Sequence, residues 1–467
     1  MIRTFLRRLL HYFDQEENMT VQVPAQKLKA RTKWFYGIGD IGNATVNSAV
    51  QFFLMKFYTD AALILPALAG SALLIGKIWD AINDPLFGWI TDRTNSRLGK
   101  RRVYMLFGAI PLGISVALLW FVPPGLSQVM TFVWIAGTFI LFDTLWTLTN
   151  VPYYALTSEL TDDYDERSSL TVYRMVLATP AYLLGAALTP MIVGLFAIQR
   201  TGYGFIGVVY GALAAMALLI SAGGLRERKN VNESKGEASP LKSIKVAFKN
   251  RPFVYLFVVY FIVNISFAFA KTLMAYFIEY QLLMKDVISI AMGLMLVCVT
   301  ISLPIWKKVS EKMDKGPAYA VGMGIGAVAL LALWFLPNRP TFFIYPIMVL
   351  AGFGFGANWV FPWAMIADVS DYDRVETGKF RSGVYYGVWG LATKMSEALA
   401  LAGVGWMLTG FGYVANIAQT SHALLGIRLF FSIIPAVFIF IALPLLFKYP
   451  ITRKGHAEVR ARLEKMD

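Results

Sequence analysis

Acidic and basic side chains stand close together inside an apolar segment near residue 80. In GKIWDAINDPLFG, residues 76–88, a helix would place Lys77, Asp80 and Asp84 on one face, with Asn83 beside them. Two carboxylates one turn apart repel each other in a low dielectric unless a cation lies between them or one is protonated. Carboxylate, amide and hydroxyl oxygens are the ligands that a hard ion such as Na⁺ prefers. We therefore predict a cation site at the carboxylate pair, Asp80 and Asp84. The alternative is a static ion pair between Lys77 and Asp80.

Other apolar segments also carry polar side chains, several of them at helical spacing. They are Asp40, Asn43, Asn47 and Gln51 in the first segment, Asp143, Thr147 and Asn150 in the fourth, Arg174 in the fifth, Lys271 and Glu279 in the seventh, and Lys394 and Glu397 in the eleventh. Ionisable groups in such segments are costly, so each is a functional candidate. Lys271 and Glu279 are interpreted as a structural pair. Lys394 either pairs locally with Glu397 or, in the favoured interpretation, crosses to the carboxylate pair.

Aromatic side chains accompany these polar groups in the fourth and tenth segments, as Tyr153, Tyr154, Trp359 and Trp363. Such rings stack on sugars or line an amphiphile's tail, although packing is their commoner role. The predicted substrate-binding residues are Asp40, Asn43, Asn47, Asp143, Asn150, Tyr154, Arg174, Trp359, Trp363 and Lys394. Lys77 and Lys394 are expected to couple the cation to the substrate.

The composition indicates which elements position these residues. Of the 467 residues, 57% are hydrophobic and 15% charged, which is too apolar for a soluble protein of this length. A lone cysteine, Cys298, excludes an intrachain disulfide, and three scattered histidines argue against a metal cluster or catalytic triad. Apolar runs predict an all-α membrane protein with twelve transmembrane helices, near 34–59, 63–91, 103–122, 128–158, 169–197, 203–222, 253–282, 286–306, 317–336, 341–366, 382–410 and 424–447.

The basic residues fall in alternate loops. The net charge of +14 would suit nucleic acid, but Lys and Arg cluster at 92–102, at 306–316 and in the central linker, which favours membrane topology instead. These loops and both termini are therefore predicted to face the cytoplasm. The predicted units are a cytoplasmic N-terminal segment 1–33, a six-helix bundle 34–222, a cytoplasmic linker 223–252, a second six-helix bundle 253–447 and a cytoplasmic tail 448–467. Residues 1–18 are expected to form an interfacial amphipathic helix, and the alternative is that translation starts at Met19.

The two halves repeat a pattern at matching places. ALTSELTDDYDERSSLTVYR follows the fourth span and AMIADVSDYDRVETGKFRSGVYYG the tenth, roughly 210 residues apart, which indicates two homologous bundles with the substrate between them. These segments are interpreted as loops that cap helix ends and pair with one another. Any ion pairs that link the halves there must break when that side opens. The predicted gating residues are Asp92, Arg93, Arg101, Glu159, Asp162, Arg167, Asp368, Asp371 and Arg381.

Four segments together resemble the glycoside–pentoside–hexuronide:cation symporters of the major facilitator superfamily, the family of melibiose permease. They are YGIGDIGN, KIWDAINDPLFGWITDRT leading to LGKRR, NVPYYAL and DYDRVETGKFRSGVYYGVWGLATK, and the likeness spans roughly 30–450. The resemblance implies the major facilitator fold. It also implies that Asp80, Asn83, Asp84 and Thr147 hold the coupling cation, that Lys394 is the family's eleventh-span lysine and that Arg174 contacts sugar. Asn43, Ala44 and Asn150 replace charged sugar-binding residues, which makes melibiose itself an unsuitable substrate.

From these features we expect a secondary transporter rather than an enzyme, with Na⁺-coupled symport of a sugar-like solute, a glycoside, pentoside or hexuronide, by alternating access. Na⁺, or Li⁺ or H⁺ in its place, would be the coupling ion, with no bound cofactor. The protein is expected to be a monomer in the plasma or inner membrane, with the bilayer and a small-molecule substrate as partners and no nucleic acid. One alternative substrate is a lysolipid, because animal sodium-dependent lysophosphatidylcholine transporters resemble the same family. A non-transporting assembly factor or receptor is the other alternative.

Overall fold

Long helices account for most of the residues that the structure describes. A computed structural model describes residues 27–161, 163–227, 245–378 and 381–463. The predicted amphipathic helix at the N-terminus and most of the linker lie outside these residues. Helices of the first half are α1 (Ala30–Lys56), α2 (Pro66–Asp92), α3 (Arg102–Leu119), α4 (Gln128–Leu160), α5 (Tyr164–Gly194) and α6 (Gln199–Gly224). Those of the second half are α7 (Arg251–Tyr276), α8 (Ile288–Ser310), α9 (Lys315–Trp334), α10 (Ile344–Thr377), α11 (Ser382–Gly410) and α12 (Ser421–Phe447), followed by a short α13 (Arg453–Leu463).

Nine of the described helices are long and apolar enough to cross a membrane on length and composition alone. The three further long helices are α1, α2 and α11. These are the helices that carry the Asp40 stripe, the carboxylate pair and Lys394. Polar side chains lower their mean hydropathy, and such side chains are tolerated at membrane depth where they face the interior of a bundle.

The segments that the sequence assigned to gating loops are mostly helical, which corrects that prediction. Helix α10 continues to Thr377, past its predicted end at residue 366, so Asp368 and Asp371 lie on it, while Arg167 lies on α5. The apolar run marks only the part of a helix that lies in lipid, whereas the helix itself continues beyond it. The tail likewise contains a helix, α13, that the sequence did not predict.

The two halves share a backbone irregularity as well as a sequence pattern. Helices α1 and α7 each end in a wider π-helical turn, at Phe57–Ala61 and Phe277–Gln281. Shortly after each turn a leucine takes a positive φ, 58° at Leu63 and 57° at Leu283. Non-glycine residues rarely adopt this conformation, so its recurrence at matching places marks the two helices as structural equivalents.

The halves meet along three pairs of helices, α2 with α11, α1 with α7, and α5 with α8. At the α2–α11 crossing, a Cβ atom added to Gly405 would lie 2.3 Å from the carbonyl oxygen of Pro66 and 2.9 Å from the Cα atom of Gly70. Small residues allow helix backbones to approach this closely in a membrane. The crossing therefore brings the second and eleventh helices, one from each half, into direct contact.

Candidate cation and substrate site

The carboxylate pair of α2 is bridged by a lysine from the other half. The Nζ atom of Lys394 on α11 lies 2.5 Å from Asp80 Oδ1 and 2.5 Å from Asp84 Oδ2. The predicted crossing of Lys394 to the pair is therefore present. The Asp80 side chain is 6% exposed and the Asp84 side chain 40% exposed, so the bridge joins a buried carboxylate to one that water reaches.

Oxygen atoms from neighbouring residues surround the pair. The hydroxyl of Thr147 donates to Asp84 Oδ1 over 2.9 Å. The Nδ2 group of Asn83 donates to the main-chain oxygen of Asp143 over 3.2 Å and to its carboxylate over 3.4 Å. The Asn83 Oδ1 atom is buried and has no donor among the described residues. Two carboxylates, a hydroxyl and an orphaned amide oxygen form a donor set that fits a small hard cation.

Lys77 connects the carboxylate pair to a second acid. Its Nζ atom lies 3.6 Å from Asp80 Oδ2 and 3.6 Å from Glu397 Oε2. Lys271 on α7 reaches the same acid, with its Nζ atom 3.7 Å from Glu397 Oε1. The sequence-based pairing of Lys271 with Glu279 is thus wrong. The two residues are separated by about 12 Å along the helix, whereas the packing of α11 against α7 brings Glu397 to Lys271. Glu397 is likewise shared by two distant lysines rather than paired locally with Lys394.

The polar stripe of α1 completes this region. The Gln51 Oε1 atom accepts hydrogen bonds from Lys271 over 2.7 Å and from Tyr182 over 2.9 Å, and its Nε2 group donates to Asn47 over 3.0 Å. Between the halves, Asn47, Gln51 and Lys271 line a cavity of about 40 Å³, which holds no more than a few water molecules. In this conformation the cavity is too small for a sugar.

A second polar group lies nearer to the start of α1. The Arg174 Nε atom is 3.6 Å from Asp40 Oδ2, and the guanidinium lies 5.0 Å from the centre of the Tyr154 ring. The Tyr154 hydroxyl donates to Asp40 over 3.3 Å. The amide of Asn43 donates to Asn150, while Asn43 Oδ1 and Arg174 Nε, both buried, have no hydrogen-bond partner among the described residues. This group therefore retains the capacity to hydrogen-bond a polar ligand.

The aromatic candidates divide into two kinds. Tyr153 is fully buried, and its hydroxyl donates to the Tyr36 main-chain oxygen over 2.6 Å, so it packs within the first half. Tyr154 is 43% exposed and Trp363 52% exposed. The Trp359 ring packs edge-on against Tyr182, with ring centres 5.8 Å apart. Among these four rings, Tyr154 and Trp363 are the most accessible to a ligand.

The predicted gating residues form ion pairs within one half. Arg101 donates to Glu159 over 2.8 Å in the first half, and Arg381 binds Asp373 over 2.7 Å in the second. Burial raises the pKa of Glu159, although the hydrogen bond from Arg101 opposes that shift. The hydrogen bond to Asp373 raises the pKa of Arg381.

The remaining members of that set contact groups nearby. Lys315 and His456 both bind Asp368, over 2.6 Å and 3.3 Å, and the same histidine lies 3.4 Å from Asp371. The guanidinium of Arg93 stacks over Trp89, and Arg167 donates to the main-chain oxygen of Thr161. Asp162 and the Asp92 side chain lie outside the described part of the chain. Helix capping and local pairing thus account for the contacts described here.

An ion cluster that joins the halves lies at the opposite end of the bundle, and sequence reasoning missed it. Lys56 at the end of α1 lies 2.5 Å from Asp60 and 2.8 Å from Glu279 of the other half. The hydroxyls of Tyr280 and Tyr413 donate to Asp60 over 2.7 Å and 2.6 Å. We call these five residues the far-face cluster. The sequence signal that could have revealed this cluster is an acid at the end of each of the two equivalent helices, Asp60 after α1 and Glu279 after α7.

Comparison with known proteins places this geometry in context. Residues 35–453 match the family model described as MFS/sugar transport protein. The chain is 29% identical to the "Uncharacterized symporter sll1374" of Synechocystis sp. (96% of this chain, 98% of the relative). It is 26% identical to the zebrafish (Danio rerio) "Sodium-dependent lysophosphatidylcholine symporter 1-A" (94% and 90%) and 28% identical to the "Isoprimeverose transporter" of Lactiplantibacillus pentosus (87% and 85%). The solved xylose transporter XylE from E. coli, in a partially occluded inward open conformation, is similar in fold, with a TM-score of 0.63, 13% identity and coverage of 91% and 99%.

Proposed function

The chain belongs to the MFS/sugar transport protein family, a family of membrane transporters and not of enzymes, and from this premise we propose that it is a Na⁺-coupled symporter of a sugar-like solute. The observation that carries the proposal is the bridge from Lys394 to Asp80 and Asp84, because it joins the two halves through a charge that a cation can replace. Two carboxylates one turn apart require such a positive charge in a low dielectric.

Na⁺ binding at the carboxylate pair competes with the Lys394 ammonium. Asp80 and Asp84 supply charged oxygens, and the Thr147 hydroxyl and the unpartnered Asn83 Oδ1 atom supply neutral ones. Displacement of the ammonium removes a contact between α2 and α11, so the cation changes the relative stability of the conformations in which these helices are joined or apart. A ligand shifts a conformational equilibrium only by such differential binding. Li⁺ and H⁺ satisfy the same charge requirement.

The solute is assigned to the space beside Arg174, Asp40 and Tyr154. A guanidinium and a carboxylate recognise sugar hydroxyls as donor and acceptor, and the half-exposed ring of Tyr154 offers a face for stacking. Asn43 and Asn150 of this group are candidates for further hydrogen bonds. Asn47 lies at the cavity, Asp143 at the cation site, and Trp363 against Tyr386 and Trp389, so these residues and Trp359 are candidates for contacts with more distant parts of the solute.

The structure fits a conformation that is closed at the far-face cluster and open toward the face with the basic loops. The far-face cluster links the halves at one end. At the basic end, the Arg101–Glu159 pair lies within the first half and the Arg381–Asp373 pair within the second. The 40% exposure of the Asp84 side chain fits the same conformation. Since basic loops face the cytoplasm, we assign this as the inward-facing state.

A thermal-shift experiment on the purified protein tests the cation site without knowledge of the solute. Na⁺ should raise the melting temperature relative to choline, because a ligand that binds only the folded state stabilises it by mass action. Asp80→Asn and Asp84→Asn should remove this Na⁺ effect, whereas Asp286→Asn, at an exposed acid between α7 and α8, should retain it. Full Na⁺ stabilisation in both site variants would refute the assignment.

Na⁺-gradient-driven uptake into proteoliposomes then identifies the solute class. Labelled pentosides, glycosides and uronic acids represent the sugar-like substrates. A lysophosphatidylcholine arm is justified because the zebrafish relative that covers 94% of this chain is named for that substrate. Uptake of the lysolipid and of none of the sugars would replace the sugar assignment while leaving the cation site in place.

A further inference from the structure

The cavity between the halves is bounded by three charged side chains, of which Lys77 also contacts Asp80 of the cation site. Lys77 of α2 and Lys271 of α7 approach it from opposite halves, and Glu397 of α11 lies between them. Asn47 and Gln51 of α1 line its remaining polar wall. The cavity thus combines two ammonium groups, one carboxylate and two amides.

Glu397 is held more loosely than the other charges of this region. Its oxygens lie 3.6 Å from Lys77 and 3.7 Å from Lys271, beyond the usual 2.7–2.9 Å of a charge-assisted hydrogen bond. Glu397 also accepts a long hydrogen bond of 3.4 Å from the Gln51 Nε2 group. Lys394, in contrast, lies 2.5 Å from each carboxylate that it bridges. Lys271 is only 7% exposed, and a buried ammonium is costly unless a negative charge compensates it. The two lysines therefore form a site for an anionic group, which the Glu397 side chain now fills imperfectly.

Both charges that fill these sites belong to one face of α11. Lys394 occupies the cation site and Glu397 the anionic site, and the two residues are three positions apart on the same helix. Residues at this spacing are neighbours on the helix surface and form ion pairs with each other. If both are displaced, they can neutralise one another. If only one is displaced, a charge is left without its partner in a low-dielectric site, which is unfavourable.

Building on the proposed symport, we propose that the transported solute carries an acidic group, a carboxylate or a phosphate, which binds between Lys77 and Lys271 in place of Glu397. Na⁺ displaces Lys394 while the solute displaces Glu397, and the two released side chains then pair along α11. Lys77 lies 3.6 Å from Asp80 as well as from Glu397, so cation binding at Asp80 also increases the attraction of Lys77 for an anion. The coupling is reciprocal, because each ligand makes the displacement caused by the other less costly.

The test compares acidic and neutral solutes on the purified full chain, with Na⁺ or choline present. Glucuronate, glucose 1-phosphate and glucose serve as probes, and the readouts are thermal stabilisation and Na⁺-driven uptake. We expect at least one acidic probe to bind at least tenfold more tightly in Na⁺ than in choline. The same probe should bind at least tenfold more tightly than glucose. Glucuronate tests a carboxylate as the acidic group, and glucose 1-phosphate tests a phosphate.

Two variants separate this inference from a purely structural role for the lysines. Lys271→Met should weaken binding of the acidic probe at least tenfold and leave Na⁺ stabilisation without solute unchanged, since Glu397 retains Lys77. Glu397→Gln removes the carboxylate that competes with the solute. The affinity for the acidic probe in choline should therefore rise about tenfold, and the ratio of the affinities in Na⁺ and in choline should fall toward one. Should Lys271→Met fail to fold, Glu397→Gln still carries the test.

The possible outcomes distinguish the two proposals. Glucose binding that equals that of the acids, no binding by any acidic probe, or weaker acid binding in Glu397→Gln would overturn the acidic-solute inference and leave the cation site intact. If Na⁺ does not stabilise the unmodified protein, the proposed symport is refuted, whichever solute binds.

Discussion

Replacement of Lys394 by methionine tests whether the lysine acts as an internal substitute for the cation. The variant keeps an unbranched side chain of similar bulk but removes the charge that lies 2.5 Å from both Asp80 and Asp84. Without Na⁺, the two carboxylates are then left to repel each other. With Na⁺, the ion occupies the site without competition. We therefore expect Lys394→Met to be less stable than the unmodified protein in choline and to regain stability in Na⁺.

The structure sets the size of the effect. Removal of one partner from a fully buried ion pair costs about 3–5 kcal/mol. Asp84 is 40% exposed, so solvent screens part of the interaction and a value of about 1–2 kcal/mol is more suitable. Because 1.4 kcal/mol corresponds to a tenfold change in affinity, the apparent affinity for Na⁺ should rise about five- to thirtyfold.

A Na⁺ titration of the melting temperature in detergent measures this affinity directly. Lys312→Met, which removes an exposed lysine from the loop between α8 and α9, is the matched control and should leave the Na⁺ titration unchanged. Na⁺-driven transport should be lost in Lys394→Met, because the cation no longer changes the contact between the halves. An unchanged or weakened affinity for Na⁺ in this variant would show that Lys394 does not compete with the ion.

Three further predictions concern other contacts. Thr147→Val should weaken Na⁺ binding by about tenfold, the value of one hydrogen-bonding oxygen, and an unchanged Na⁺ titration would remove the threonine from the ligand set. Lys56→Met should lower the melting temperature by several degrees, because it leaves Glu279 without its main partner. An unchanged melting temperature would show that the far-face cluster does not hold the halves together. Gly405→Ala should destabilise the protein, because the added Cβ atom would meet the α2 backbone. Gly390→Ala adds a Cβ atom where the space is open, so it should be neutral or stabilising. Equal effects of the two substitutions would contradict the close helix crossing.

Much of the fold could be predicted from the sequence, because a run of apolar residues long enough to cross lipid has few structural options. The carboxylate pair, Asn83 and Lys77 could also be placed together, since helical spacing alone determines which side chains share a face. The ends of α5 and α10 were misplaced, because hydropathy changes at the lipid boundary and the helix need not end there. The α13 helix was missed for a related reason, since a polar helix of the tail has no apolar run to mark it.

The pairing of charges between helices lay beyond such reasoning. Lys271 was assigned to Glu279 by proximity along the chain, but two turns of helix separate them and Glu279 binds Lys56 instead. Side chains that are far apart in the sequence have no spacing rule, so their contacts depend on how whole helices cross.

A polytopic helical protein in two related halves, with two acids on one face of α2 that need a compensating positive charge, follows from the sequence alone. Local periodicity and the cost of charge in lipid are sufficient for that conclusion. The packing of the helices selects which charges meet: Lys394 at Asp80 and Asp84, Lys77 and Lys271 at Glu397, and Lys56 at Glu279. The reason is physical, because a sequence specifies the face of a helix on which a charge lies, whereas the packing of that helix against others selects its partner.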